Sequence, residues 1–158
     1  MNDRLVINTG PLILLAKLGA LDVAAQLPIT YIAPPAVREE LDAGAALGYV
    51  EVRPSWLDIR ELHSPILPLS GIFLGRGEAE VIQLALDLGV RVVCIDDLRG
   101  RKAAKASGLD VTGLLGLLGR TKLLGIVPRV KPFADELLRT GGRYSAKVIG
   151  EFLLEFGE

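Results

Sequence analysis

The sequence predicts an α/β fold in which a mainly parallel β-sheet is covered by helices on both faces. Short apolar runs alternate along the chain with longer segments of helical periodicity. The apolar runs are continuous rather than alternating, as is typical of strands buried on both sides. The chain has 158 residues, of which 50% are apolar, so we expect one domain over residues 1–158.

Proline and glycine mark the ends of most predicted elements. Pro11 and Pro34-Pro35 stand at helix starts, where a missing N–H costs little, and Gly19 and Gly44 stand at helix ends. The predicted strands are 4–8, 29–33, 91–96 and 109–113, with 49–53 as a further strand in a segment that is mostly connection. The predicted helices are 12–19, 22–27 with Asp22 as its cap, 36–44, 78–89, 99–108, 114–125, 129–140, and 145–156 with Ser145 as its cap.

Composition limits the possible environments of the protein. The net charge of −1 provides no overall basic field for nucleic acid, although a local basic patch is compatible with it. The single Cys94 lies in an apolar run, so we expect a buried thiol and no internal disulfide. The N-terminus lacks the apolar stretch of a signal peptide, and no segment is long enough to span a bilayer. We therefore expect a cytoplasmic protein without membrane attachment.

Four polar side chains stand at strand ends or in the helices that follow. Asn8 ends the first strand, and Glu40 lies in the helix after the second. Glu78 lies in the first turn of a later helix, and Asp96 ends the strand at 91–96. The carboxyl ends of parallel strands meet at one edge of a sheet. Clustered carboxylates repel unless a cation compensates, and oxygen ligands suit a hard cation. The pattern therefore predicts a Mg²⁺ or Mn²⁺ site.

Helical phase ranks the neighbouring acids. Glu40 projects beside the apolar stripe of its helix, whereas Glu39 lies on the opposite side. Glu78 shares a stripe with the apolar residues three, four and seven positions later, whereas Glu80 points away from that stripe. Glu80 and Asp97 are accordingly the secondary candidates for metal binding.

Each of these side chains also has an ordinary structural interpretation. Acids in the first turn of a helix are stabilised by the helix dipole, and an aspartate after a strand often caps the next helix. Asn8 can hold a turn by bonding its own backbone, or it can supply a neutral oxygen to a cation or orient a metal-bound water. The joint occurrence of four such residues at corresponding positions favours a site.

The chain resembles PIN-domain proteins in the segments VINTGPLILLAKLG, APPAVREEL, LGRGEAEVIQLALDLGVRVVCIDDLRGRKAAKASGLDVTGLLGLL and GGRYSAKVIGEFL, which follow one another over almost its whole length. Within that family the chain resembles a prokaryotic PIN-like branch that is often grouped with nucleic-acid-binding toxins. The resemblance implies a three-layer α/β/α sandwich with a central, mainly parallel sheet. It also implies a Mg²⁺- or Mn²⁺-dependent ribonuclease, in many cases the toxin of a toxin–antitoxin pair. The family's four acidic positions fall on Asn8, Glu40, Glu78 and Asp96, with Glu80 and Asp97 nearby.

Two function classes follow. In the first, Glu40, Glu78 and Asp96 hold one or two ions for RNA hydrolysis, and Asn8 positions the attacking water. In the second, a PIN-like module without catalysis binds nucleic acid or a partner protein, because Asn8 replaces the family's first aspartate and removes one charge. Phosphoryl transfer of the receiver or haloacid-dehalogenase type ranks last, since the first strand lacks the aspartate nucleophile.

Partners can be predicted in outline. RNA is the expected substrate. The residues expected to contact its backbone are Thr9, Arg99, Arg101, Lys102 and Lys105. The alternative for the basic residues is that they form a solvated helix face. The aromatic residues that could stack bases, or simply pack, are Trp56, Phe73 and Tyr144. The family resemblance and the apolar helices 12–19 and 114–125 suggest a homodimer, and an antitoxin protein is a further possible partner.

Overall fold

A computed structural model of the chain describes residues 3–66, 74–140 and 144–158. Strands and helices alternate along these ranges, as the sequence predicts. The strands are β1 (Asp3–Ile7), β2 (Ile29–Ala33), β3 (Leu57–Ile59), β4 (Val92–Cys94) and β5 (Asp110–Thr112). The helices are α1 (Thr9–Lys17), α2 (Leu21–Ala25), α3 (Pro35–Ala46), α4 (Arg76–Leu88), α5 (Leu98–Ala106), α6 (Leu114–Leu123), α7 (Lys131–Arg139) and α8 (Ala146–Glu155).

The five strands form one sheet in the order β3-β2-β1-β4-β5, and every neighbouring pair is parallel. From β1 the chain proceeds to β2 and β3 on one side of the sheet and later to β4 and β5 on the other. The carboxyl ends of β1 and β4 therefore flank the point where the strand order reverses, which is where open α/β sheets bind their ligands. In this register Ile7 lies opposite Cys94.

The sheet is covered on both faces, which makes the predicted three-layer α/β/α sandwich. Leu5, Val6 and Ile7 of β1 are consecutive and all buried, which requires apolar neighbours on both sides. The Tyr31 ring of β2 is buried as well, and its hydroxyl donates to the carbonyl oxygen of Ala24 at 2.8 Å. The continuous apolar runs of the sequence thus correspond to a sheet interior without a solvent face.

Some predicted element bounds are wrong. Residues 49–53 form no strand; the edge strand β3 begins at Leu57, which pairs with Tyr31. Helix α3 runs through Gly44 to Ala46, and Gly48, with φ of 90°, takes the left-handed conformation beyond its end. In the short helix α2, Asp22 lies in the first turn rather than at the cap.

Other terminal predictions are confirmed or shift slightly. Ser145 caps α8, since its hydroxyl accepts a hydrogen bond from Val148 N at 3.2 Å. Helix α1 begins at Thr9, two residues before Pro11. Among the described residues, none of the helices has both the length and the apolar character needed to cross a membrane.

Candidate metal and catalytic site

Asn8 lies at the centre of the candidate site, directly after β1. Its backbone N–H donates to the carbonyl oxygen of Cys94 at 3.0 Å, which fixes it beside the end of β4. The side chain is only 5% exposed. Its Nδ2 lies 3.5 Å from Oε1 of Glu78, whereas its Oδ1 is buried and has no hydrogen-bond donor among the described residues. The amide therefore approaches one candidate carboxylate and leaves its own acceptor free.

Glu40 extends from α3 towards the start of α1. Thr9 Oγ1 donates a hydrogen bond of 2.6 Å to Glu40 Oε2. Val37 and Leu41 on the same helix are buried, as the helical phase predicts, while the Glu40 carboxylate is solvent-accessible. A Cβ atom on Gly77 would come within 2.5 Å of Glu40 Oε1. The carboxylate therefore lies directly against the backbone at the start of α4.

Glu78 is half-buried between α4 and α5. A Cβ on Gly100 of α5 would lie 3.1 Å from the Glu78 Cγ and 2.8 Å from the Ile95 Cγ2. Glycine at this position therefore lets the two helices approach closely enough to hold the Glu78 side chain beside the end of β4. With Asn8 on its other side, Glu78 lies between the end of β1 and helix α5.

Asp96 is held through one of its two carboxylate oxygens. Oδ1 accepts hydrogen bonds from Leu114 N at 3.1 Å and from the Tyr144 hydroxyl at 2.5 Å. Oδ2 is buried, with no donor in the part of the chain that the structure describes. Burial first, and then the Asp96 charge, raise the pKa of the Tyr144 hydroxyl well above its usual range, so it stays protonated as a donor.

Arg101 is a basic residue that lies close to Asp96. Its guanidinium donates to the carbonyl oxygen of Ile95 at 3.2 Å and is partly buried. A Cβ on Gly113 would come within 2.9 Å of Arg101 Nη1 and 2.6 Å of Asp96 Oδ1, so both groups lie against the same glycine. The site therefore has a resident positive charge beside Asp96.

The sequence was compared with protein families and with curated proteins. The family model for a PIN domain matches residues 4–158. The chain belongs to the PIN-domain family. No curated protein matches the sequence. The five-stranded parallel sheet and its helical layers agree with this assignment, and the PIN domain is a nuclease-type fold that suggests RNA binding.

In this PIN domain the two secondary metal candidates, Glu80 and Asp97, accept hydrogen bonds from backbone N–H groups. Glu80 is 5% exposed, and its carboxylate accepts from Ala36 N at 3.1 Å and from Arg76 Nε at 2.9 Å. The prediction that Glu80 points away from the buried side of its helix is therefore wrong. Asp97 caps α5 by accepting from Gly100 N at 3.1 Å. Both remain near the site, but these contacts give each a structural function.

The side-chain oxygens of the candidate site suit a metal ion that keeps several of its water ligands. PIN domains generally use divalent metal ions. Within residues 3–66, 74–140 and 144–158, no three Asp, Glu, His or Cys side chains lie close enough together to hold one. However, Mg²⁺ commonly takes only one or two carboxylates and retains several waters. The free acceptors Asn8 Oδ1 and Asp96 Oδ2 fit such an ion or its waters, whereas a complete protein cage is not present in the described ranges.

Of the other candidate RNA contacts, the basic residues of α5 are exposed, whereas Thr9 is buried within the candidate site. Arg99, Lys102 and Lys105 are exposed on α5, whereas the Thr9 hydroxyl proton is already donated to Glu40. As RNA contacts these residues stay predictions. The exposed face of α5 nevertheless places three cationic side chains on the same helix as Arg101.

The aromatic candidates have different surroundings. Trp56 packs on Tyr31 with ring centroids 4.8 Å apart, while Tyr144 bonds Asp96. Phe73 lies outside the described residues. The contact between Tyr144 and Asp96 was missed by sequence analysis, since the two residues are 48 positions apart and no local pattern pairs them. Cys94 is buried as predicted, and burial raises the pKa of its thiol.

Proposed function

We propose that this PIN domain is a Mg²⁺- or Mn²⁺-dependent endoribonuclease. The observation that carries the proposal is a pair of buried acceptors, Asn8 Oδ1 and Asp96 Oδ2, at the ends of two adjacent strands. Neither atom has a donor within the described ranges of the chain. A buried carboxylate oxygen without a donor is costly, so such atoms are rare unless a ligand or water completes them. Their position at the reversal of strand order is where this class of sheet binds ligands.

The proposed roles follow from the contacts. Asp96, Glu78 and Glu40 would hold the ion directly or through water, and Thr9 would keep Glu40 oriented towards the site. When bound, the ion would lower the pKa of a water and offset charge on the phosphodiester. Asn8 Oδ1 would accept a hydrogen bond from a water molecule and so fix the orientation of that water.

Arg101 and the exposed basic residues of α5 would bind the RNA backbone. The Arg101 guanidinium is already anchored on a carbonyl oxygen, so its remaining N–H groups can donate to a phosphate without a large loss of side-chain freedom. Arg99 and Lys102 are exposed and would add attraction that depends on salt concentration. The overall charge of −1 makes this local patch the main attraction for RNA.

RNA cleavage with and without Mn²⁺ tests the proposal. We expect cleavage by the wild type that requires the metal, and a loss of at least about 100-fold in Asp96→Asn, since removing a charged ligand weakens both the ion and its water. Glu40→Gln should also lose activity, whereas its matched control Glu39→Gln should retain it, because Glu39 is exposed and paired with Arg76. Full activity of folded Asp96→Asn would refute the assignment.

A PIN module that binds without catalysis is the second candidate. It is favoured by Asn8, which makes the site less negative than the family's four-acid pattern, and by the absence of a three-acid cluster among the described residues. Calorimetric titration with Mn²⁺ separates the two functions. Binding together with cleavage supports the ribonuclease, whereas no binding at millimolar Mn²⁺ supports the module.

The biological partners are also proposals. We propose that the protein acts in the cytoplasm as the toxin of a toxin–antitoxin pair and that it forms a homodimer. Leu123, Leu124 and Leu154 are exposed on α6, just beyond its end, and on α8, which supports a protein contact on that side. Light scattering of the purified chain would test the dimer. Co-expression with the product of the adjacent reading frame, followed by RNA cleavage, would test inhibition by an antitoxin.

A further inference from the structure

The Asp96 carboxylate is restrained asymmetrically. Within residues 3–66, 74–140 and 144–158, its two donors, Leu114 N and the Tyr144 hydroxyl, both bond Oδ1, and Oδ2 has none. A single donor would leave the carboxylate free to exchange its two oxygens by rotation about the Cβ–Cγ bond. Two donors from different directions oppose that rotation. The orientation of Asp96 therefore depends on a residue that the proposed chemistry does not itself use.

Tyr144 is well placed to restrain another side chain. Its ring is half-buried and packs against the hydrophobic core, so the hydroxyl has little freedom. The next residue, Ser145, caps α8, and α8 is itself anchored by the buried Ile149 and Phe152. The hydroxyl is thus fixed by packing on one side and by a capped helix on the other.

We propose that Tyr144 is a positioning residue that occupies Asp96 Oδ1 and so presents Asp96 Oδ2 to the metal ion or its water. The inference rests on the proposed function only in taking Asp96 as a ligand. Groups that hydrogen-bond a metal ligand fix its orientation, and their removal typically weakens metal binding or activity by about 10- to 100-fold. Tyr144 has this relation to Asp96, at 2.5 Å.

The Gly113 backbone supports the same geometry. Asp96 Oδ1 lies where a Cβ on Gly113 would be only 2.6 Å away, so the oxygen can approach Leu114 N only because the preceding residue is glycine. The Tyr144 hydroxyl reaches the same oxygen from the segment just before Ser145, the N-cap of α8. Two separate segments therefore donate to Oδ1, and the other oxygen is the one left for a ligand.

Tyr144→Phe tests the inference, with Tyr49→Phe as the matched control. Phenylalanine keeps the packed ring, and Asp96 keeps its bond from Leu114 N, so the variant should fold. Tyr49 is 68% exposed and lies beyond the end of α3. We expect the Mn²⁺ dissociation constant, measured by calorimetry without RNA, to rise about 10- to 100-fold in Tyr144→Phe. The control should match the wild type.

Cleavage kinetics give an independent measurement. In saturating Mn²⁺, Tyr144→Phe should lower kcat more than it raises the KM for RNA, because the hydroxyl contacts Asp96 and not the substrate. In the Asp96→Asn background, adding Tyr144→Phe should change Mn²⁺ affinity no further, since Tyr144 acts through Asp96. A further loss in that background would overturn the inference.

The outcomes separate the two proposals. If the wild type binds Mn²⁺ but does not cleave RNA, the ribonuclease proposal fails, and the Mn²⁺ affinity of Tyr144→Phe still decides the role of Tyr144. An unchanged Mn²⁺ affinity in folded Tyr144→Phe overturns the positioning role and leaves the ribonuclease proposal intact. If the wild type does not bind Mn²⁺, both proposals are refuted.

Discussion

Replacing Glu80 with alanine would remove the acceptor of a buried backbone N–H. Glu80 Oε1 accepts from Ala36 N in the first turn of α3, and Oε2 accepts from Arg76 on its own helix. Ala36 is buried, so water cannot readily replace the lost acceptor. The contact also joins the starts of α3 and α4, the helices that carry Glu40 and Glu78. The substitution therefore tests a connection beneath the candidate site.

The expected cost follows from the buried donor. A backbone N–H left unsatisfied in the interior costs about 1–3 kcal/mol. The pair with Arg76 adds little, because the guanidinium is mostly in water. With a urea m-value of about 2 kcal/mol/M for a domain of this size, the midpoint of unfolding should fall by about 0.5–1.5 M.

Urea unfolding followed by the fluorescence of Trp56, the single tryptophan, would measure this change. Glu80→Gln is the matched variant, since its amide oxygen can still accept from Ala36 N, and it should lose less than half as much stability. Glu39→Ala, which removes the exposed carboxylate paired with Arg76, should leave the midpoint unchanged. Equal shifts for Glu80→Ala and Glu39→Ala would refute the buried-acceptor explanation. Loss of Mn²⁺ binding at normal stability would instead make Glu80 a ligand.

Three further predictions concern the site and the C-terminal residue. Gly77→Ala should displace the Glu40 carboxylate, because the new Cβ would lie 2.5 Å from its Oε1, and Mn²⁺ calorimetry should show weaker binding with the fold retained. Asn8→Asp should lower the melting temperature without metal, because the new carboxylate would face the Glu78 carboxylate of α4. Added Mn²⁺ should raise the melting temperature of this variant more than that of the wild type. An equal rise in the two proteins would contradict the reasoning. The hydrogen bond from Lys122 is the main cause that lowers the pKa of Glu158 from 4.5 to about 2. The stability that Glu158 contributes is therefore complete above about pH 4.5 and is lost as the pH falls towards 2. Acid unfolding followed by circular dichroism should show this loss of stability in the wild type and not in Glu158→Gln.

The fold could be predicted because its main signals are local. Continuous apolar runs identify β1, β2 and β4 as strands buried on both faces, and these runs need no knowledge of their partners. The edge strand β3 could not be predicted in the same way. It has three residues and pairs only with β2, so tertiary contact decides which part of the segment after α3 becomes a strand.

The candidate site was predictable in part. Helical phase correctly places Glu40 beside a buried stripe, but it fails for Glu80 because α4 is buried over a broad arc that includes Gly77 and every position from Glu80 to Ala85. A one-stripe analysis assumes that a helix packs on one neighbour, whereas α4 contacts both the sheet and α3. The Tyr144 contact depends on the return of the C-terminal segment, for which the sequence has no local signal.

The glycines beside the candidate carboxylates have a consequence for recognising related sites. Glu40 lies against Gly77 and Asp96 against Gly113, each at a distance that a side chain on the glycine would not allow. Glu78 lies against Gly100, where a Cβ would make an unusually tight contact of 3.1 Å with the Glu78 Cγ. The three glycines belong to different elements from the acids they face. A search for chains with the same arrangement should therefore require this set of small residues as well as the acids, because a sequence with the carboxylates but bulky residues at those three positions would have to orient them differently.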